Sequence, residues 1–299
     1  MISINTGDDD LKPVVSFSSE DLILIRAVRD GIEVIPINVF GISSFCCMRS
    51  GYFEIMANES NIQTLLLSFY NYVHEFLGPS PEYQLSVEPE GFLPKIKNVN
   101  VTKLHFRQCP RANVLEEYFS CSPNQECVFF KTWAQFEFIP QSKICDTNNL
   151  KFDCLGQPTD QILTDFNGRS LVLELTSIKE STIIEFVNQW RSNRKYQNLE
   201  FVHINLFRES YEDPLELMEE IGVKENGLAV YHFKNRLDIE SKSITSIKQK
   251  SWHYVVNEST GHVATISIGT DQFHFAAWRI TEKEFLVGHP IPKVPSNDA

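Results

Sequence analysis

The sequence lacks the short motifs that mark nucleotide-binding and metal-dependent enzymes. No glycine-rich loop joins a strand-like run to a helical one, so neither a P-loop nor a dinucleotide fingerprint is present. None of the eight histidines lies in an HExxH pattern, and no cysteines have the CxxC spacing of zinc ligands. These absences predict a protein that uses no cofactor and no metal ion and that is not an enzyme.

Basic residues are scarce as well. The 27 lysines and arginines are outnumbered by 39 aspartates and glutamates, which gives a formal net charge of −12. Binding to nucleic acid normally requires a basic patch or stripe. The one evident basic run, from Arg191 to Lys195, fits the end of a helix, where cations complement the helix dipole. The composition therefore argues against nucleic acid as a partner.

Long hydrophobic runs and targeting signals are also missing. No run approaches the ~18 apolar residues that a membrane span requires, and the first residues show no basic stretch followed by an apolar one, as a secretory signal would. The seven cysteines are odd in number, which does not suit a framework of disulfides. We therefore predict a reduced chain in the cytoplasm or nucleus, with no membrane among its partners.

A strand, a helix and a second strand are predicted between Ser170 and Leu206. Leucine recurs at every second position from 171 to 175, which favours a strand with one apolar face. Thr182 and Glu185 are spaced to form a capping box at the start of the helix. The second strand opens at Leu199. The apolar residues at helical spacing between the strands are Ile183, Ile184, Val187 and Trp190.

Two further helices carry clear start or stop signals. Apolar residues recur at helical spacing between Glu59 and Leu77, up to Phe76, and Gly78 with the following proline ends the pattern. This spacing predicts an amphipathic helix with a buried apolar face. Asp213 and the proline after it are predicted to begin another helix, which Gly222 ends.

The unit between Ser170 and Leu206 belongs to a loose series. Five pairs of apolar residues, each flanking one other residue, follow one another at intervals of 24, 22, 21 and 28 positions. Leucine-rich repeats have intervals of ~20–29 residues, and each of their units contributes a strand and a return helix. The sequence therefore predicts an α/β fold with a leucine-rich-repeat-like array, shaped as a horseshoe or solenoid. The pairs are Leu104/Phe106, Val128/Phe130, Leu150/Phe152, Leu171/Leu173 and Leu199/Phe201.

Three regions are predicted along the chain. Residues 1–80 form an N-terminal α/β region, and residues 81–235 hold the repeat-like array. Residues 236–299 contain three strand-like segments joined by short loops and then a tail. Short loops between successive strands favour an antiparallel β meander.

Several of these segments together resemble the nematode F-box proteins that carry the type 2 F-box-associated domain. That family shows a strand, a helix ending in FLxxW, then LExL, a helix ended by glycine, and a closing hairpin. The similar segments cover most of residues 150–280. They are Ser170-Leu-Val-Leu, the capping region at Thr182, Phe186-Val-Asn-Gln-Trp190, Asn198-Leu-Glu-Phe201, Ile221-Gly222, Gly261-His-Val-Ala-Thr-Ile266 and Phe273-His-Phe-Ala-Ala-Trp278.

The resemblance implies a substrate receptor of a cullin-based ubiquitin ligase, acting in ubiquitin-dependent protein degradation. In that family the F-box docks the ligase adaptor, and the associated domain holds the protein substrate. The F-box is a helical motif near the N-terminus with an LPxxxL-like start, and residues 1–50 contain nothing like it. Two readings stay open: the chain captures a substrate for a ligase, with an F-box that was lost or left out of this sequence, or it binds a partner without a ligase. An unrecognised enzyme is a third reading, and it would need a cleft where titratable groups converge.

The predicted array also predicts a partner surface. Repeat proteins bind partners on the concave face that their strands line, and residues that alternate with the core pairs point to that face. The alternative is that these are ordinary solvated strand residues. The predicted surface consists of His105, Arg107, Phe129, Lys131, Lys151, Asp153, Glu174 and Glu200.

Overall fold

Nine of the ten residues in the apolar pairs of the sequence lie in β-strands in a computed structural model of the chain. The chain divides into two units, Met1–Ile139 (unit 1) and Pro140–Ala299 (unit 2). The division predicted from the sequence, at residues 80 and 235, is a different one and stays a prediction. The structure describes residues 2–6, 14–16, 22–27, 35–49, 52–57, 59–78, 83–87, 93, 95–123, 125–134, 138–155, 159–207, 211, 213–235 and 245–288.

Unit 1 is built on a mixed sheet. Its elements are β1 (Ile2–Thr6), β2 (Val14–Ser16), β3 (Leu22–Ala27), β4 (Ile35–Val39), β5 (Ile42–Arg49), β6 (Tyr52–Ala57), α1 (Glu59–Leu77), β7 (Tyr83–Val87), β8 (Val101–Phe106), α2 (Ala112–Cys121) and β9 (Cys127–Thr132). The strands lie in the order β9-β8-β7-β1-β2-β3-β6-β5-β4. Strands β1, β7, β8 and β9 run parallel to one another, as do β3 and β6.

Helix α1 has the bounds that the sequence predicts. Its apolar face is buried at Leu65, Leu66 and Val73, and the helix contacts β3 and β6. The prediction is wrong for Phe76, whose side chain is 77% exposed. Phe76 lies in the last turn of the helix and stacks on Tyr72, which is also exposed.

In unit 2 parallel and antiparallel strands pair with one another, and helices connect the parallel strands. After a 3₁₀ turn (Lys143–Asp146) its elements are β10 (Asn149–Cys154), α3 (Asp160–Asp165), β11 (Ser170–Thr176), α4 (Glu180–Arg191), β12 (Phe201–Leu206), α5 (Pro214–Ile221), β13 (Lys224–Asn235), β14 (Thr245–Val256), β15 (His262–Ile268), β16 (Gln272–Thr281) and α6 (Glu282–Gly288). The strands lie in the order β10-β11-β12-β16-β15-β14-β13, with β10 to β12 parallel and the others antiparallel. The predicted α/β class and the C-terminal antiparallel meander are confirmed.

One face of the unit 2 sheet forms the core with the helices. Phe152, Leu173, Ile204 and Phe273 lie opposite one another across β10, β11, β12 and β16, and all four are buried. Helix α4 packs on this face because its aromatic residues contact β16. Phe186 lies edge-on to Phe273 and Phe275, and Trp190 lies edge-on to Phe275. The side chains that alternate with this row point to the opposite face of the sheet.

The starts of three parallel strands share one hydrogen-bonding pattern. The Asn148 carbonyl accepts the backbone N–H groups of Arg169 and Ser170, where β11 starts. The Arg169 carbonyl accepts the two N–H groups at residues 200 and 201, where β12 starts. In unit 1 the Asn100 carbonyl accepts two N–H groups in the same way at the start of β9. Each strand start is therefore fixed by the residue before the preceding strand.

The register corrects the last apolar pair of the predicted series. Leu171 and Leu173 lie opposite Val202 and Ile204 of β12. Strand β12 begins at Phe201, so Leu199 precedes it. The series therefore continues through Val202 and Ile204. Leu199 is buried all the same, in the connection that leads from α4 to the strand.

The predicted capping box at Thr182 is not formed. Helix α4 begins at Glu180, so Thr182 lies inside its first turn, and its hydroxyl donates to Asp160 Oδ1 at 2.5 Å. The same carboxylate oxygen accepts the backbone N–H of Lys179 at 3.1 Å. Helices α3 and α4 are neighbours, so a side chain of α3 satisfies a donor at the start of α4.

Candidate partner-binding surfaces

In unit 1, four of the predicted surface residues lie on or directly after β8 and β9. The core residues of these strands, Leu104 and Phe130 among them, are buried on one face. The alternate residues form the other face, on which His105 lies opposite Lys131. We define the β8–β9 face by Lys103, His105, Arg107, Phe129, Lys131 and Trp133.

Trp133 lies at the end of β9 on the β8–β9 face and is its most exposed aromatic side chain. Its side chain is 50% exposed, and its ring centroid lies 4.7 Å from that of His105. The ammonium of Lys131 lies 5.4 Å from the Trp133 ring centroid, within the range of a cation–π contact. Two predicted residues thus contact an exposed tryptophan. Sequence reasoning missed Trp133, although it continues the alternation of Phe129 and Lys131.

In unit 2, the face opposite the helices carries a row in which three of four side chains are polar. Lys151, Val172, His203 and His274 lie opposite one another across β10, β11, β12 and β16. Asp153 lies in the next row, opposite Glu174. We define the histidine network as Lys151, Glu174, His203, Asn205, Gln272 and His274.

Glu174 lies within 4.0 Å of three other members of the histidine network. Its Oε2 atom accepts from Asn205 Nδ2 at 3.2 Å. Its Oε1 atom lies 3.8 Å from Lys151 Nζ and 4.0 Å from His203 Nε2. Lys151 and Glu174 were predicted from the sequence to share a surface, and the structure places them together. It adds both histidines, which come from strands far apart in sequence.

One assignment of protons fits the hydrogen bonds of the histidine network. The Gln272 carboxamide oxygen lies 3.1 Å from His274 Nε2 and can only accept, so this Nε2 donates. A neutral His274 then accepts through Nδ1, which lies 3.1 Å from His203 Nδ1. His203 therefore donates through Nδ1, and its lone pair lies on Nε2, the atom nearest Glu174. Two acceptor atoms therefore face each other in the network, the Nε2 atom of His203 and the Oε1 atom of Glu174.

Both imidazoles are neutral at pH 7. Burial lowers the pKa of His203 to about 4, and the positive charge of Lys151 adds to the decrease. Burial also lowers the pKa of His274 to about 4, with a smaller decrease from His203 and an opposing increase from Glu174. The donor and acceptor roles above apply to this neutral pair, in which each ring carries one proton.

Acidification is expected to destabilise the protein through this pair. A histidine whose pKa is lower in the folded than in the unfolded chain binds fewer protons when folded, so stability falls as the pH drops from 6.5 towards 4. One histidine contributes a loss of about 2 kcal/mol between pH 7 and pH 5. Urea unfolding at both pH values measures how much the free energy of unfolding falls between pH 7 and pH 5. This fall should be smaller when His203 and His274 are both replaced by glutamine. The exposed His232 is the control: a fall reduced as much in His232→Gln would contradict this account.

Glu200 lies apart from the histidine network. It precedes β12, and its Oε1 atom accepts from Arg169 Nη2 at 2.7 Å and from Arg279 Nη2 at 2.9 Å. The three side chains tie together the starts of β11 and β12 and the end of β16. The structure therefore gives this predicted surface residue ion-pair partners that bridge three strands.

The described residues contain no group of three histidine, cysteine, aspartate or glutamate side chains positioned to hold a metal ion. Cys109 Sγ lies 3.0 Å from the Thr132 hydroxyl, and burial raises the pKa of the Cys109 thiol. This thiol is therefore protonated at neutral pH, which does not favour it as a nucleophile.

In the part of the chain that the structure describes, no helix is both long and apolar enough to cross a membrane.

Comparison with known proteins gives no relative. No family model, no curated protein and no solved structure matches the chain. The geometry of the two surfaces is therefore the basis for a functional proposal.

Proposed function

We propose that this chain is a protein-binding module with no catalysis of its own and that Trp133 is the centre of its binding surface. The observation that carries the proposal is a half-exposed tryptophan in contact with His105 and Lys131 on the β8–β9 face. Tryptophan is enriched among the few residues that supply most of the energy of protein interfaces. A tryptophan that is already held in place loses little side-chain entropy on binding.

We also propose that the parallel strands with their helices are a leucine-rich-repeat-like array. Strands β8, β9, β10 and β12 share one burial pattern. Their first two residues are buried, and the next four alternate between half-buried and buried. The recurring hydrogen bonds at the strand starts support this reading in each unit. Repeat proteins use such strand faces for binding, which agrees with the position of Trp133.

The resemblance to the F-box-associated family supports a role in target capture for a cullin-based ubiquitin ligase. The residues that carry the resemblance include the buried Phe186 and Trp190 of α4, the glycine that ends α5, and the hairpin of β15 and β16. The alternative is a stand-alone binding protein without a ligase. Both readings place partner binding on the strand faces, and they differ only in whether an adaptor and a cullin accompany the captured protein.

Trp133→Ala is expected to abolish most partner capture. The free energy lost on truncating an interface hot spot is about 2 kcal/mol or more, which corresponds to a roughly thirtyfold weaker affinity. The tagged full chain is incubated with extract of its native tissue, and the retained proteins are identified by mass spectrometry. The matched control is Trp252→Ala in unit 2, because Trp252 is 51% exposed and lies outside both surfaces.

The captured material also separates the two readings. An adaptor and a cullin that are retained with the wild-type chain favour the ligase role. If both are absent, while a version with an F-box fused upstream retains them, the stand-alone reading holds for this chain. Equal capture by Trp133→Ala and wild type would contradict the binding surface itself.

A further inference from the structure

Strand β13 has one edge that no other strand covers. It is the last strand in the order of unit 2, and among the residues that the structure describes no strand pairs with its side away from β14. We call this side the outer edge of β13. Every second residue of such a strand turns its backbone N–H and C=O groups to the open side. The outer edge therefore presents a row of hydrogen-bond donors and acceptors.

The outer edge of β13 lacks much of the protection that edge strands commonly have. Short length, proline and bulges keep other chains from pairing with an edge. Strand β4, which ends the strand order of unit 1, has five residues, and Pro36 among them has no N–H to donate. Strand β13 has twelve residues and no proline. Its register shift lies before Ala229, and the residues from Ala229 to Asn235 pair one to one with β14. This part of the edge is therefore regular.

The regular part of β13 is packed on one face of the strand. Ala229 is 1% exposed and lies in a core cluster with Tyr254 and Phe285. The Tyr231 ring, on the same face of the strand, lies edge-on to the Trp278 ring, with centroids 5.1 Å apart. A strand that is already ordered loses little conformational entropy when another chain pairs with it.

We infer that the outer edge of β13 binds an extended segment of a partner protein as an added strand. Main-chain hydrogen bonds supply the affinity in this mode of recognition, and alternate side chains supply the specificity. Tyr231 is half-buried, so an apolar side chain of the segment can pack beside its ring. His232, on the other face of the strand, is exposed, which favours polar residues at the alternate positions. The site lies on a different strand from Trp133, and it goes beyond the proposed surface.

A second copy of the chain also has a strand that fits this edge. Each copy carries a formal net charge of −12, and a large net charge of one sign opposes self-association. The observations therefore favour a segment of another protein as the occupant.

Fluorescence anisotropy with the full chain tests the inference. The probe is a short labelled peptide of alternating valine and threonine between glycine and serine linkers. The comparison probe has the same sequence, but every valine and threonine nitrogen is methylated, which removes the N–H donors. We expect saturable binding of the unmodified peptide and binding at least about tenfold weaker for the methylated one. No binding of the unmodified peptide, or equal binding of both, would overturn the inference.

Hydrogen exchange of the β13 amides locates the bound peptide. Between Ala229 and Asn235, the amides that face outward are expected to exchange fast in the free chain. The unmodified peptide is expected to slow their exchange at least about tenfold, because their N–H groups then lie in hydrogen bonds. If the peptide binds and these amides exchange as before, it binds elsewhere and the inference is wrong.

A proline variant removes one donor from the outer edge. Exchange in the free chain shows whether Tyr231 or its neighbour His232 turns its N–H outward, because amides in the ladder with β14 exchange slowly. Tyr231→Pro or His232→Pro, whichever applies, leaves that ladder intact. The variant is expected to weaken peptide binding about tenfold or more. A folded variant that binds the peptide as tightly as the wild type would contradict the inference.

Two controls separate this site from its alternatives. Trp133→Ala is expected to bind the peptide as the wild type does, so the failure of this inference differs from the failure of the proposed function. Loss of peptide binding in Trp133→Ala would place the peptide on the β8–β9 face and overturn the inference. Light scattering is expected to show a monomer. A dimer that the proline variant dissociates would instead show that a second copy occupies the edge.

Discussion

Replacing Phe186 with alanine is expected to lower the free energy of unfolding of unit 2 by about 3–5 kcal/mol. Phe186 is 2% exposed, and its ring centroid lies 4.8 Å from that of Tyr196 and 5.1 Å from that of Phe275. The substitution leaves a cavity between α4 and the sheet, where these aromatic rings lose their contacts. Urea unfolding measures the loss, and hydrogen exchange of the β12 and β16 amides assigns it to unit 2.

Phe76→Ala is the control for Phe186→Ala, since the same side chain is removed from an exposed position. Surface substitutions usually change stability by less than about 0.5 kcal/mol. Similar losses for the two variants would contradict the placement of Phe186 in the core. Faster exchange that spares β12 and β16 would contradict the packing of α4 on these strands.

Gly168→Ala is expected to destabilise unit 2 by about 3 kcal/mol or more, as overpacking against backbone atoms does at its upper range. A β-carbon at this position would lie 2.0 Å from the Thr147 carbonyl oxygen and 2.8 Å from that of Asn148. These are backbone atoms, and the Asn148 carbonyl also accepts the two N–H groups that start β11. Relief of the clash must therefore move the strand start. Thermal unfolding followed by circular dichroism measures the loss.

Gly288→Ala is the matched control for this variant. A β-carbon at Gly288 meets no atom within 4 Å, and the residue ends α6. The melting temperature of the Gly288→Ala protein is expected to match that of the wild type. A Gly168→Ala protein as stable as Gly288→Ala would show that the connection between α3 and β11 is looser than the structure describes.

Local signals predicted several elements correctly. The bounds of α1 follow from apolar residues at helical spacing and from the glycine and proline that stop the helix. Helix α5 is capped at its start by Asp213, whose side chain accepts the N–H groups of Leu215 and Glu216, and after its end by Gly222, which has a φ of +70°. In both helices the determining interactions lie within a few residues of sequence. Such signals can be read without knowing the tertiary contacts.

Features that depend on contacts distant in sequence were not predicted. Thr182 has the spacing of a cap, but Asp160 of the neighbouring helix takes that role because α3 and α4 pack together. His203 and His274 meet because β16 pairs antiparallel with β12. No local pattern around either histidine fixes that register. The predicted surface therefore contained Glu174 and Lys151 but neither histidine.

The alternation of strand residues predicted which side chains share a face, but not which of them contact one another. His105 and Lys131 were predicted to share a surface, and they lie opposite each other. Trp133 was missed because it follows the last residue of β9, where the apolar pattern used for the prediction has ended. Its contacts with His105 and Lys131 depend on the register of β8 and β9.

The most direct test of the proposed function is label-free quantification of the proteins that the wild type, Trp133→Ala and Trp252→Ala retain from the same native extract. The account predicts that the partners enriched on the wild type fall at least about tenfold on Trp133→Ala and are retained by Trp252→Ala. Retention of the same partners by all three folded proteins, or their loss from Trp252→Ala alone, would contradict a binding surface centred on Trp133.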